Sequence, residues 1–414
     1  MNAWIVHERG QGSLKLPKMS HPSSSSASHG WLIANLLAQI SFGLLAMTVC
    51  LPSMPSWSAT FGASQATVQL SFSAYLVTYG ALQLVYGPLS DRHGRRPVLL
   101  FGVALAGVGS VLAALAPSLD VLILARALQG AGSAAGMVVG RSSVQHLFEG
   151  AERTRVMAYI GMTLGLCPPT ATLIGGQLQV HVGWQANFVL MAVLSVVLFV
   201  AAWRGLPTSH QSTHKDNHWL VDMGQAYARL ARERVFWLYV VMLATTTATF
   251  YVFLAGAPLV LGSYGVGPEG IGWYIMAIPL AYILGNYLTS HWVHTRGERR
   301  MMGLGLVAAL SSLTLLLALG VAGWHSPLAF ALPLLLLGLG HGFLNPPALA
   351  GTVGVVPALA GSAAAVAGLM QQLMGAAGGY VVGLVSHQGA VNLGWLMLAF
   401  TLCSALAFAL LQRR

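Results

Sequence analysis

Long apolar runs joined by short polar stretches dominate the chain, and the length of each run determines what it can be. Runs at 31–52, 69–89, 97–116, 120–147, 156–179, 186–204, 235–258, 270–291, 301–323, 327–350, 362–386 and 391–411 each lie near the roughly 20 residues that a helix needs to cross a bilayer. The pattern predicts an all-α integral membrane protein with twelve transmembrane helices in two six-helix halves. The expected organisation is a tail at 1–30, a first half at 31–204, a linker at 205–234, a second half at 235–411 and a short tail at 412–414. One local repeat supports duplication. The loop after the second span reads Asp91-Arg92-His93-Gly94-Arg95-Arg96, and that after the eighth reads His294-Thr295-Arg296-Gly297-Glu298-Arg299-Arg300. Two parallel repeats around a central path can open a midplane site to either side by rocking.

Composition agrees with the pattern. Only 7% of residues are charged, against roughly 25% in a soluble globular protein, which excludes a soluble enzyme. The net charge of +10 would suggest nucleic acid, but the positions of the charges argue otherwise. All Lys and Arg except Arg126 and Arg141 fall in the termini and in the loops after the second, fourth, sixth and eighth spans. This is the positive-inside pattern, and it puts both termini and the linker in the cytoplasm. Basic charge here records topology, and no nucleic-acid partner is expected. Cys50, Cys167 and Cys403 sit in apolar runs as small hydrophobes, implying neither disulfide nor zinc. The Ser-rich start does not resemble a secretory signal, and Met19 is an alternative start. His210, His214 and His218 are interleaved with polar residues, which favours a solvated linker over a metal site. Residues 220–237 suit a helix on the membrane surface or a plain tether between halves. No nucleophile set, metal-ligand pair or phosphate loop appears at chemical spacing, so neither an enzyme nor a cofactor is expected.

Mechanism is carried by a few motifs inside and beside the spans. The second span ends Gly87-Pro88-Leu89-Ser90-Asp91-Arg92-His93-Gly94-Arg95-Arg96-Pro97. Gly87 would permit close helix contact, Asp91 can cap or pair, and Gly94 allows a tight turn. The fourth span carries Arg126, Gln129 and Arg141; the arginines are about 22 Å apart along a helix and within about 60° around it. An arginine at that depth faces the bundle interior, either to satisfy carbonyls or to serve substrate and coupling. The fifth span holds Gly161, Gly165, Pro168, Pro169, Gly175 and Gly176, residues that allow close approach and bending. His341 lies mid-span in the tenth run among Gly338, Gly340 and Gly342, with Asn345 one turn on. Its plain reading is a packing histidine; substrate contact and protonation are the alternatives. Phe42, Phe250 and Tyr251, with the polar Gln39, Thr245, Asn345 and Gln371, would suit an amphipathic small-molecule substrate.

The second-span loop, the Arg-x-x-Gln-Gly of the fourth span, the glycine and proline run of the fifth and Leu51-Pro52-Ser53-Met54-Pro55 resemble the major facilitator superfamily. Within it the chain is similar to the bicyclomycin/chloramphenicol-resistance (Bcr/CflA) branch of the twelve-helix drug:proton antiporters. The resemblance implies the major facilitator fold, a monomer, and export of a drug or metabolite by alternating access with protons as a coupling ion. It also implies gating by Gly87, Asp91, Gly94, Arg95, Arg96, Pro168, Gly175 and Gly176. Two departures stand out: related exporters carry Asp where this chain has Thr48 and His146, and none of its ten acids lies mid-span. With two interior arginines and no opposing carboxylate, neutral or anionic cargo is expected. The alternative is a dedicated exporter or importer of an anionic metabolite or metallophore, driven by membrane potential.

Overall fold

The computed structural model describes residues 26–206 and 219–413; His210, His214, His218 and Met19 lie outside them. Among the described residues every regular element is helical. The first set is α1 (Ser26–Thr48), α2 (Met54–Phe61), α3 (Gln65–His93), α4 (Arg95–Ala114), α5 (Leu119–Leu147), α6 (Gly150–His181) and α7 (Gln185–Gly205). The second is α8 (Trp219–Arg232), α9 (Arg234–Ser263), α10 (Pro268–Ile275), α11 (Ala277–Arg296), α12 (Glu298–Val321), α13 (Pro327–Gly354), α14 (Ala360–Val382) and α15 (Ala390–Gln412). Eleven candidate spans among the described residues are long and apolar enough to cross a membrane, with α1–α2 and α10–α11 each counting as one. The remaining expected span, α14, has 23 residues and hence the length to cross. It is less apolar because Gln371, Gln372 and many Gly and Ala replace larger hydrophobes, and it packs between α3 and α9.

Prolines decide where the helices break. The first span expected at 31–52 stops at Thr48, because Pro52 and Pro55 remove amide donors, and a 3-10 turn at Leu51–Ser53 precedes α2. Pro279 cannot donate to the Ile275 carbonyl, and the eighth span divides there into α10 and α11. Ser64, Ser118 and Ser326 cap α3, α5 and α13, each hydroxyl accepting the amide three residues on. The amphipathic α8 docks on α9 and α14, with Leu230 buried against the Phe236 cluster.

The repeat seen in the loops recurs in the backbone. Gly94 has φ 88° and ψ 149°, and Gly297 has φ 77° and ψ 154°. A left-handed φ with extended ψ is open to glycine and strained for other residues, so both turns require it. These turns mark one side of the molecule, the basic side; the opposite is the far side.

Two seams join the helix sets: α3 against α14, and α6 against α10 and α11. Both close tightly from the far side inward. A Cβ on Gly383 would lie 2.5 Å from the Ala66 Cα, and one on Gly80 2.6 Å from the Gln372 Cβ. Ser73 Oγ donates to the Ala376 carbonyl at 2.7 Å. On the second seam a Cβ on Gly176 would come within 2.1 Å of the Pro268 oxygen, while Gly175 packs within its own half, where a Cβ would come within 1.8 Å of the Val49 oxygen. One on Gly165 would still meet Ile283 at 2.9 Å, but one turn nearer the basic side a Cβ on Gly161 meets nothing within 4 Å. The far half is therefore shut, and the seam parts toward the basic side.

If these backbone contacts hold the far side shut, Gly176→Val should prise it open. In a cysteine-free background, maleimide labelling of Leu173→Cys, at the α6–α10 contact, should rise severalfold when Gly176→Val is added. Unchanged labelling would mean that the seam is held elsewhere.

Candidate functional site

A cavity of about 580 Å³ lies where the seam parts. Its walls are Gly161, Met162, Leu164, Gly165 and Pro168 of α6, Thr246, Thr247, Phe250 and Tyr251 of α9, and Ile278, Pro279, Tyr282, Ile283, Asn286 and Tyr287 of α11. His341 and Asn345 of α13 and Leu44 and Met47 of α1 complete it. No Asp, Glu, Lys or Arg is among these residues. The polar groups are two amides, an imidazole, threonines and tyrosines set in an apolar wall.

Local sequence explains how the α13 side chains reach the cavity. Pro346 supplies no amide to the Gly342 carbonyl four residues earlier, and Thr289 Oγ1 of α11 donates to that oxygen at 2.9 Å. A Cβ on Gly342 would come within 2.7 Å of the Gly285 Cα, so α11 and α13 are in backbone contact. His341, 5% exposed, makes no hydrogen bond among the described residues, and the Oδ1 atoms of Asn286 and Asn345 have no partner. Phe250 packs beside Tyr251, ring centroids 5.9 Å apart, and Tyr251 meets Phe72 of α3 edge-on at 6.1 Å.

The structure thus gathers five of the expected site residues, Pro168, Phe250, Tyr251, His341 and Asn345, and disperses the others. Arg126 does not line the cavity. It is fully buried and donates to the Ala46 and Met47 carbonyls at 2.7 and 3.3 Å and to Gln129 Oε1. Its guanidinium carbon lies 4.4 Å from the Tyr75 ring centroid. Those carbonyls belong to the last turn of α1, where helix geometry leaves acceptors unpaired, so Arg126 acts as a cap on α1. Gln129 is buried with it, donating to Ser110 Oγ at 2.7 Å. Gln39 is also off the cavity, its amide held by the Leu198 carbonyl at 2.9 Å and by Asn35. Phe42 lies in the core, and Thr245 donates back to the Val241 carbonyl. Gln371 is half-buried on α14, outside the cavity wall. Arg141 is exposed on α5, with Tyr79 within electrostatic reach.

Among the expected gating residues, Gly176 lies at the far-side closure described above, and Gly175 packs α6 against the end of α1 in its own half. Gly87 has room in this conformation, the nearest contact for a Cβ being Val138 at 3.9 Å. Asp91 is exposed with no ion pair among the described residues, Arg95 is half-buried, and Arg96 donates to the Trp203 carbonyl of α7. Among the described residues, the hydrogen bond that holds the signature loop runs to its own half. The α11 wall was missed from sequence. Its signal was present in Tyr282 and Asn286, four residues apart and so on one face of an apolar span.

A family profile described as Major Facilitator Superfamily matches residues 33–379. A chloramphenicol resistance protein of Pseudomonas aeruginosa is 30% identical over 324 residues, 76% of each chain. Multidrug resistance protein D of Escherichia coli (strain K12) is 28% identical over 388 residues, 92% of this chain and 96% of that one. Two solved structures share the fold. A bacterial homolog of the human lysosomal transporter Spinster, inward-facing and unoccupied, has a TM-score of 0.72 at 14% identity, covering 94% of this chain and 97% of that one. A D-xylose–proton symporter scores 0.70 at 15% identity, covering 93% and 96%.

Because Arg126 caps α1, its loss should register as instability as well as lost transport. Arg126→Ala leaves buried carbonyls unpaired, at about 1–3 kcal/mol each, and should lower the Tm of purified protein and abolish flux together, with Arg126→Lys intermediate in both. Full stability of Arg126→Ala with altered substrate affinity would instead make the arginine a substrate ligand.

Proposed function

We propose that this chain, which belongs to the major facilitator superfamily and within it to the Bcr/CflA branch, exports an uncharged amphipathic small molecule across the bacterial inner membrane. That it is a secondary transporter and not an enzyme follows from its membership. The cargo reading is carried by one observation, the cavity wall of aromatic, amide and hydroxyl groups without a formal charge. Desolvating an ion into such a wall would cost several kcal/mol without an opposing partner, whereas an aromatic or alkyl body loses little there. Removing Arg126 from the wall takes away half of the sequence-based case for an anion. The chloramphenicol and multidrug resistance proteins it resembles support organic cargo of the same kind.

In this reading the basic side is cytoplasmic, as the arginine-rich loops at Gly94 and Gly297 favour. The structure then corresponds to the cytoplasm-open state, with Asp91 and its neighbours unlatched. Return to the outward state would bring the signature loop against the second half. Energy coupling has one candidate on the cavity wall besides the tyrosines, His341. Proton entry against neutral cargo leaving moves one positive charge inward per cycle. It is driven both by ΔpH and by potential, the latter supplying about 2.3 kcal/mol per 100 mV. Arg141 on α5 is the observation that favours the second reading, an anionic cargo.

Flux from liposomes holding one purified protein separates the two readings. For neutral cargo, ΔpH should accelerate transport, His341→Gln should remove that acceleration while leaving downhill flux, and Arg141→Gln should not change apparent affinity. Flux that follows membrane potential alone and loses affinity in Arg141→Gln would establish the anion reading. Asn345→Ala and Phe250→Ala should each weaken apparent affinity severalfold under either; unchanged affinity in both would place the cargo outside this cavity.

A further inference from the structure

We infer that His387, just beyond the far-side end of α14, is an acid-sensitive catch: protonated from that side, it releases α14 from α3 and lets the molecule open there. The inference goes beyond the export reading and takes from it only that the far side faces the exterior.

It starts from the end of α14. Val382 is the last residue of that helix, and a last-turn carbonyl has no amide of its own helix to accept. The Val385 amide reaches this one only at 3.4 Å. The chain then folds back, and His387 Nε2 donates to the Val382 carbonyl at 2.6 Å. The residue after Val382 is Gly383, the far-side contact of the α3–α14 seam, where a Cβ would lie 2.5 Å from the Ala66 Cα and 2.9 Å from the Gln65 oxygen. His387 therefore holds the turn by which α14 touches the first half. The turn is braced within the second half. Asn392 Nδ2 donates to the Ser386 carbonyl at 2.8 Å, and the Tyr264 hydroxyl accepts the Ala390 amide at 3.0 Å.

This bond decides where the ring carries its proton. A carbonyl only accepts, so Nε2 holds the hydrogen and Nδ1 is the bare nitrogen. Nδ1 is buried and has no hydrogen-bond partner among the described residues. A second proton would make it a buried, charged N–H with no acceptor, which the shut turn cannot stabilise. Burial accordingly holds the His387 pKa below the ordinary histidine value, against the Val382 carbonyl, which raises it. No carboxylate offsets the burial. The far-side acids Asp120 and Glu269 lie on α5 and α10, neither of which is a principal neighbour of α14. The first turns of α3 and α15 carry no charged residue. The titratable groups about the turn are Tyr380 of α14, Tyr264 beyond α9, and His325, which packs against Gly389 and the Tyr264 ring. His325 is exposed, as is His181 at the end of α6.

Parting α14 from α3 uncovers the turn and gives Nδ1 water. The shut form is then favoured in full above the ordinary histidine pKa of about 6.5 and loses ground as pH falls below it. One such group can raise the open-to-shut ratio by at most about tenfold at pH 5.5. In an exporter driven by entering protons, the far side would open when external protons are available and stay shut against returning cargo when they are not.

Distance measurement by pulsed electron paramagnetic resonance tests the catch without cargo or flux, so its failure is separable from failure of the export reading. Spin labels are placed at Thr60→Cys on α2 and Val321→Cys at the end of α12, exposed far-side positions on opposite halves, in a cysteine-free protein held in nanodiscs. The expected result is a short distance at pH 8 and a longer one whose share rises severalfold at pH 5.5. The rise should survive His341→Gln and disappear in His387→Gln, which keeps a donor for Val382 but does not titrate. The short distance of that variant at pH 8 shows that it is folded. His387→Lys, charged at both pH values, should populate the longer distance already at pH 8. The same native distances at both pH values would overturn the inference, as would a rise that His387→Gln retains.

Discussion

Within hydrocarbon a carbonyl that loses its helical donor has no water to turn to, and the whole arrangement of this protein depends on how such groups are satisfied. Prolines lie inside α3, α6, α9 and α13 and remove an amide donor from each, and α1 ends inside a span. At each place examined above, a partner comes from another helix. Arg126 of α5 takes the last carbonyls of α1, and Thr289 of α11 takes the oxygen that Pro346 frees on α13. These bonds are also positional. The capped turn of α1 carries Met47, and the α11–α13 contact brings Asn286 onto the same cavity wall as His341 and Asn345. The groups that keep the backbone soluble in lipid therefore shape the binding wall as well.

Charge follows the same logic. A guanidinium buried among carbonyls, an amide and an aromatic face is stabilised without a carboxylate, and it no longer projects a full charge toward the path between the halves. The absence of mid-span acids, which at first sight makes the interior strongly positive, is thus balanced by hydrogen bonds and not by counter-ions. What remains at the cavity is a set of weakly polar groups without a formal charge.

The two seams differ in what they are made of. On the far side, glycines bring backbone to backbone at Gly176 and Gly383, leaving little slack for sliding. Toward the basic side contact passes to side chains such as Ile283 and then ends beside Gly161. Backbone contacts of this kind are either made or broken, which suits a closure that must alternate, while a side-chain fringe can yield locally.

The spans, the duplicated turns at Gly94 and Gly297 and the polar residues His341 and Asn345 in the tenth span were legible in the sequence, because each depends on neighbours in the same segment. A bilayer reads hydropathy over about 20 consecutive residues, and a proline or glycine acts on the turn that contains it. Gln39, Gln129 and Arg126 were legible as buried polar residues but not in their roles. Their partners, the carbonyl of Leu198, the hydroxyl of Ser110 and the end of α1, lie on other helices. Nor could the sequence show that α11 supplies more of the cavity wall than any other helix, or that Met162 and Tyr287 line the cavity while remaining exposed. Which face of one helix meets which face of another depends on crossing angles and backbone approach distances set by packing across the bundle, so only the tertiary structure decided the site.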